Sequence, residues 1–185
     1  MAYPAIVKTE RLILRVPLPE DAPQIAQSIG RKEVVWNLGR APFPYALSDA
    51  NAWIERTPEQ WMTDRAYSFV ITLPETGVIG AVGVDHLADQ VWEIGYWVGA
   101  PWWGLGYATE AAAAVLEWAQ AKHGLRAFVS GHFVDNPASG NVLTKLGFEP
   151  VGEIQLPSLA RGEKSRALRY VRGAKPEQAL GMAIH

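Results

Sequence analysis

The chain has 185 residues, 49% of them apolar and 19% charged, with a formal net charge of −2. That is ordinary globular composition, long enough for one domain with a full core, and it gives no electrostatic reason to expect nucleic acid or an anionic membrane as partner. With no cysteine, a catalytic thiol, a disulfide framework and a Cys-based zinc site are excluded; no metal is expected, and a cytoplasmic setting fits. The first residues, Met1-Ala2-Tyr3-Pro4, lack the basic-then-apolar pattern of a secretion signal. No segment approaches the roughly 20 apolar residues that span a bilayer.

Arg11 to Val16 alternates, with Leu12, Leu14 and Val16 on one face, and reads as a strand. Pro17-Leu18-Pro19-Glu20-Asp21 ends it and opens a helix through about Ile29, acidic residues suiting a helix N-terminus. Gly39 to Pro44 is loop, and Ser48 is the expected cap of a helix from Asp49 to about Trp61. Tyr67, Phe69, Ile71 and Leu73 share a face of the next strand; Pro74 to Gly77 turns into another containing Val78, Val82 and Val84. Val91 to Val98 is a strand. Tyr107 to His123 is a helix with Ala108, Ala112, Val115 and Ala119 along one stripe and Gly124 past its end. Arg126 to Phe133 is a strand, Ala138 to Leu146 a short helix, and Phe148 to Leu156 and Ser165 to Val171 the closing strands. Lys175 to His185 shows no pattern and reads as a tail. The order β-α-α-β-β-β-α-β-α-β-β predicts a mixed α/β sheet.

The most informative stretch is Trp103-Gly104-Leu105-Gly106-Tyr107-Ala108-Thr109-Glu110-Ala111, where a strand runs through a glycine loop straight into a helix. Glycines let backbone approach a ligand closely, and the free N–H groups and positive dipole end of a helix favour an anion. A Rossmann fingerprint needs Gly or Ala where Thr109 stands, and a P-loop needs a Lys-Ser/Thr pair that is absent.

This loop resembles the acetyl-CoA loop of the GNAT N-acetyltransferases, in the version of the RimJ/RimL branch. Asn136-Pro137-Ala138-Ser139 through Leu146-Gly147-Phe148 resembles a second block of that branch, and Thr9-Glu10-Arg11-Leu12-Ile13-Leu14-Arg15 a third. The resemblance covers residues 8–172 as a single domain, leaving 173–185 as the tail. Pro101 departs from the Gln or Arg common there. The resemblance implies a mixed central sheet with two parallel strands, Val91 to Val98 and Arg126 to Phe133, splayed to admit CoA and flanked by about four helices.

It also implies direct attack of an amine on acetyl-CoA without an acyl-enzyme. Trp97, Val98, Trp103, Gly104, Leu105, Gly106, Tyr107, Ala108, Thr109, Asn136 and Ser139 are the expected CoA contacts, with the Val98 N–H as oxyanion donor. Glu93 is the expected base, because desolvation between Trp92 and Ile94 would strengthen it; the alternative is a strand glutamate paired with an arginine. Asp85, His86 and His132 are further candidates. Many relatives place an acidic tyrosine where Leu143 stands, so Ser139 is the expected acid, or else a helix cap; Asn136 binds CoA, or caps the same helix. Glu110 is expected to brace the loop.

Trp36, Phe43, Tyr45 and Trp53 are expected in the acceptor groove, which suits a protein N-terminal amine or a small-molecule amine. The eight tryptophans are expected to serve mainly packing and a homodimer contact. The other reading is a non-catalytic CoA-binding sensor or structural domain.

Overall fold

The computed structural model describes residues 5–181; the absence of a signal at 1–4 and the end of the expected tail, 182–185, lie outside them. Eight strands form one sheet: β1 (Ile6–Lys8), β2 (Ile13–Arg15), β3 (Ala66–Leu73), β4 (Gly77–Ala88), β5 (Val91–Val98), β6 (Ala127–Phe133), β7 (Glu149–Ser158) and β8 (Glu163–Arg172). Their order is β1-β2-β3-β4-β5-β6-β8-β7. Each neighbouring pair is antiparallel except β5 and β6. Among the described residues there are six α-helices: α1 (Ala22–Ile29), α2 (Lys32–Val35), α3 (Leu47–Met62), α4 (Tyr107–His123), α5 (Pro137–Lys145) and α6 (Pro176–Gly181). None is long and apolar enough to cross a membrane.

Both faces of the sheet are covered, which explains why β3 is buried almost throughout rather than alternating. On one face Tyr67, Phe69, Ile71, Val82, Trp92 and Ile94 meet Ala112, Val115 and Ala119 of α4. On the other, Val70 and Val78 pack with Ile25 of α1 and Ile54 of α3, while Val91, Val129 and Val171 pack with Ala179 of α6. Each fully buried aliphatic or Phe side chain contributes roughly 1.5–3 kcal/mol. The parallel β5–β6 pair follows from its connection: α4 carries the chain back across the sheet, as a parallel crossover requires.

Four expectations are corrected. The extra strand β1 is too short to show a period, and α2 is a single turn. The cap of α3 lies two residues earlier than Ser48, at Ala46: Asp49 Oδ2 accepts the Ala46 N–H at 2.8 Å, so the helix starts at Leu47. The expected tail is helical from Pro176 to Gly181, and Ala179 is buried against β7 and β8.

Candidate active site

The β5–β6 ladder is short. It pairs Val91 with Ala127, Trp92 with Phe128 and Glu93 with Val129, and then the strands separate. At the separation point the Ser130 hydroxyl donates to the Ile94 carbonyl at 2.9 Å. Beyond it, the alternation of an antiparallel ladder decides where amides point. Gly99 N–H bonds Ile79 C=O of the β4 side at 2.8 Å, and Gly80 is opposite Val98. The N–H groups of Val98 and Tyr96 therefore face away from β4, into the opening.

The loop after β5 is fixed at both ends. Trp103 Nε1 donates to the Val98 carbonyl at 2.6 Å. Gly104 and Gly106 have φ of 75° and 82°, a region costly for any side chain, and Gly106 is the N-cap of α4. The first helical bond is Glu110 N–H to Gly106 C=O, so the amides of Tyr107, Ala108 and Thr109 have no partner within the helix. Glu110 does brace the loop. Its Oε1 accepts Thr9 Oγ1 at 2.6 Å and the Arg11 N–H at 3.0 Å, its Oε2 accepts Arg11 Nε at 2.7 Å, and Arg11 Nη1 donates to the Leu105 carbonyl. Arg11 also covers the Tyr107 ring, 4.5 Å from its centroid. The Thr9-Glu10-Arg11 block thus acquires a physical role that its sequence alone did not give it.

Burial pushes the Glu110 carboxyl upward, but the hydrogen bonds from Thr9 and Arg11 hold it below its ordinary value. A carboxyl depressed in the folded state stabilises above its unfolded pKa, and that benefit disappears as pH falls through the folded one. Glu110→Gln is therefore expected to cost about 1 kcal/mol at neutral pH, the half-exposed Arg11 being partly screened by solvent. In urea melts the gap between variant and wild type should close in acid; a gap independent of pH would contradict the brace.

Asn136 stands at the N-cap of α5 and its carbonyl accepts the Ser139 N–H, but neither its side chain nor that of Ser139 makes a cap bond. The Ser139 hydroxyl lies 3.0 Å from the Tyr96 hydroxyl, which also donates to the Ser139 carbonyl at 3.1 Å. Burial, more than offsetting the Ser139 hydrogen bond, pushes Tyr96 up to about 12. Tyr96 thus brings a phenol hydroxyl to Ser139 from β5, whereas Leu143 is fully buried in the core. The Asn136 amide has no side-chain partner among the described residues and lines the opening.

The apolar setting expected for Glu93 is corrected. Trp92 and Ile94 point to the opposite face, and the buried carboxylate meets two guanidinium groups: Arg40 Nη2 donates to Oε2 at 2.6 Å and Arg169 Nη1 to Oε1 at 3.0 Å. Arg40 also donates to Asp85 Oδ2 at 2.9 Å. Arg169 is fully buried, its Nε bonds the Ala179 carbonyl of α6, and its Nη2 has no partner. His86 Nε2 lies 2.9 Å from the Asp89 carbonyl at an exposed turn, away from the opening. His132 Nδ1 lies 2.8 Å from the Phe133 carbonyl and Nε2 3.4 Å from the Tyr170 hydroxyl.

A cavity of about 870 Å³ passes through the opening from one face of the sheet to the other. It brings together Val98, Trp103, Gly104, Gly106, Tyr107, Ala108, Thr109, Asn136 and Ser139 on the loop side, and Glu93, Asp85 and Trp97 on the other, where Trp97 packs against the α1 and α3 cluster. Leu105 is not in its wall; half-exposed, it points outward. Of the four groove aromatics, Tyr45 and Trp53 line the cavity. Trp36 is instead covered by Lys32 and Arg161, and Phe43 is exposed outside the cavity wall. Trp53, Trp97, Trp102 and Trp103 all line it, so half of the tryptophans serve the cavity and not packing alone; Trp61, Trp92 and Trp118 join an aromatic cluster around Tyr67.

A sheet opened between two parallel strands, with unpaired amides at a glycine loop beside it, is the architecture of an acyl-CoA-dependent transferase. A family model, that of the acetyltransferase (GNAT) domain, matches residues 11–149. The N-acetyltransferase YoaA of Bacillus subtilis, described as uncharacterized, is 29% identical over 153 residues, 81% of this chain and 86% of that protein. RimJ of Mycobacterium smegmatis, solved with a CoA disulfide, superposes with a TM-score of 0.80 at 20% identity, over 91% of this chain and 87% of that one. RimL, a ribosomal L7/L12 α-N-protein acetyltransferase solved with coenzyme A, gives a TM-score of 0.78 at 18% identity, covering 92% and 98%. The chain belongs to the GNAT acetyltransferase family.

Proposed function

We propose that this acetyltransferase moves the acetyl group of acetyl-CoA to a primary amine, a protein N-terminal amine or a small-molecule amine, by direct attack in a ternary complex. The observation that carries the reading is the early end of the β5–β6 ladder at Glu93 and Val129, which leaves one cavity reaching both faces of the sheet. The pyrophosphate sits on the amides at Gly104 to Thr109, and Asn136 holds the pantetheine side. The Val98 N–H, with Tyr96 beside it, faces the thioester carbonyl, where a donor stabilises the developing oxyanion. The acceptor enters from the Glu93 face, between Tyr45 and Trp53. Thiol release from acetyl-CoA across a panel of amines and short peptides tests the reading. Acceptor-dependent release is expected; none with any acceptor, while acetyl-CoA binds, would refute it.

The acceptor's proton is assigned to Glu93 Oε2, the oxygen it shares with half-exposed Arg40. The two guanidinium contacts favour a second reading, in which Glu93 only fixes the arginines and solvent takes the proton. The pH dependence of kcat/KM separates them, measured on folded Glu93→Gln. Loss of the acid limb with a rate fall of about 100- to 10,000-fold supports the base; a retained limb supports the second reading.

A further inference from the structure

We infer that Gly95 sets the acceptor specificity of this cavity: the space above it takes a planar aromatic ring carried by the primary amine. The inference rests on the transferase reading of the same cavity and names the class of its acceptor. Gly95 stands in the middle of β5, past the last pairing with β6. Glycine inside a strand weakens it and marks a bulge or a close approach. Every other glycine inside a described strand meets such a neighbour. A Cβ on Gly80 would run into the Trp97 carbonyl, one on Gly83 would lie 2.8 Å from the Tyr67 carbonyl oxygen, and one on Gly131 3.0 Å from that of Leu168. On Gly77 and Gly152 it would meet the Gln24 and Leu180 side chains. A Cβ on Gly95 would meet nothing within 4 Å. Its φ is not left-handed, and its pairing with Gly83 is regular. Nothing in the fold requires a glycine there. Gly95 is nonetheless exposed between buried Ile94 and buried Val98, and the surface it exposes is the cavity wall.

Strand alternation fixes which side that space is on. Glu93, Gly95 and Trp97 share one face of β5. Glu93 meets Arg40 on that face, and Trp97 packs there with α1 and α3. The space above Gly95 therefore lies on the acceptor side, between a carboxylate and an indole. Those two residues stand four positions apart, about 13 Å along the strand. Across the sheet, Gly83 is opposite Gly95, and Ser68 is opposite Gly83. No bulky side chain rises from this row, so a floor of backbone runs two strand spacings from β5 to β3, about 10 Å.

The walls of this floor select its occupant. Tyr45 and Trp53 pack in the same cluster as Trp97, and all three line the cavity. Aromatic side chains attract a further ring, offset-stacked or edge-to-face. A broad flat floor beside an aromatic wall suits a ring, whereas a single alkyl chain would leave most of its width empty. With the amine nitrogen at the opening beside Glu93, the ring lies over Gly95 and Gly83. Such a ring has two sources, a free arylalkylamine and the first residue of a peptide.

Binding is measured by calorimetry on the protein saturated with CoA, so the test needs no turnover. The probes are 2-phenylethylamine against ethylamine, and a short peptide beginning with phenylalanine against one beginning with glycine. The wild type should prefer the ring in at least one pair, and the pair that shows it identifies the source. Gly95→Ala should weaken that ring-bearing probe by about 10- to 200-fold, the scale of one surplus methyl group in a filled pocket. Its ringless counterpart, acetyl-CoA affinity and the melting temperature should hold. Trp53→Leu should weaken the same ring-bearing probe by about 2- to 12-fold. A wild type without ring preference in either pair overturns the inference, and so does a Gly95→Ala protein that treats both members of a pair alike. A lower melting temperature for Gly95→Ala would return the glycine to the fold, and a lower acetyl-CoA affinity would give the space to the donor; each overturns the inference. Ring preference without any acetyl transfer would sink the transferase reading and leave the ring site standing. If CoA itself does not bind, the acetyl-CoA reading falls and the inference with it.

Discussion

Glu93→Gln is expected to destabilise the fold by about 3–5 kcal/mol, the usual cost of removing one partner from a buried ion pair. The reason is Arg169 rather than Glu93. Its guanidinium is fully buried, and the carboxylate 3.0 Å away is its only ionic partner among the described residues. Its other bond is to the Ala179 carbonyl, and its Nη2 already lacks a partner. A glutamine leaves that charge uncompensated in the interior. Typical domains have about 5–15 kcal/mol of stability in all, so the loss is a large share. Urea melts should show it as a lower midpoint at unchanged slope. Arg169→Met alone should cost less, because Glu93 keeps Arg40, and Glu93→Gln with Arg169→Met should recover much of the loss by removing both charges. A Glu93→Gln midpoint within about 1 kcal/mol of wild type would show that water reaches Arg169 and that the pair is not dry. Kinetic comparisons at Glu93 therefore belong on protein shown to be folded.

The same pair shows where sequence stops being informative. Bounds of β5 and α4 agree with those expected from sequence, Val91 to Val98 and Tyr107 to His123. Their signals are local: a run of strand formers, and glycines in the left-handed region at Gly106 and Gly124 on either side of a helix. The contacts that define the site are not local. Glu93 meets Arg40 and Arg169 across 53 and 76 positions of sequence, and Tyr96 meets Ser139 across 43. No period or cap encodes such pairs; they follow from strand order, which places β8 beside β6 and α5 over the opening. Ser139 and Asn136 were open between capping and ligand contact on sequence alone, since a hydroxyl or amide in a first turn suits both. In the structure neither side chain makes a cap bond, although Asn136 holds the N-cap position. Trp97 and Trp103, by contrast, stood beside the glycine loop in sequence, and the cavity wall contains both.

Gly106→Asp is expected to abolish CoA binding while leaving the chain folded. Gly106 has φ of 82°, a conformation that Asp and Asn tolerate better than other residues with side chains. A Cβ there meets only Arg11 Nη2, at 3.4 Å, an ordinary contact. The fold therefore has room for the side chain, and what changes is charge. The amides of Tyr107, Ala108 and Thr109 that the pyrophosphate would use lie directly after it. Two like charges about 4 Å apart near a protein surface repel by about 4 kcal/mol, which is roughly a thousandfold in affinity. Gly106→Asn supplies the comparison, with the same shape and the same backbone strain but no charge. With CoA at about a hundred times the wild-type Kd, bound ligand should add about 2.7 kcal/mol to wild-type stability. That gain should persist in part for Asn and vanish for Asp. Calorimetric titration should rank the three proteins in the same order. If Asp and Asn lose affinity equally, backbone strain and not charge controls the loop, and the phosphates lie elsewhere. If both bind CoA as the wild type does, Gly106 does not touch the cofactor.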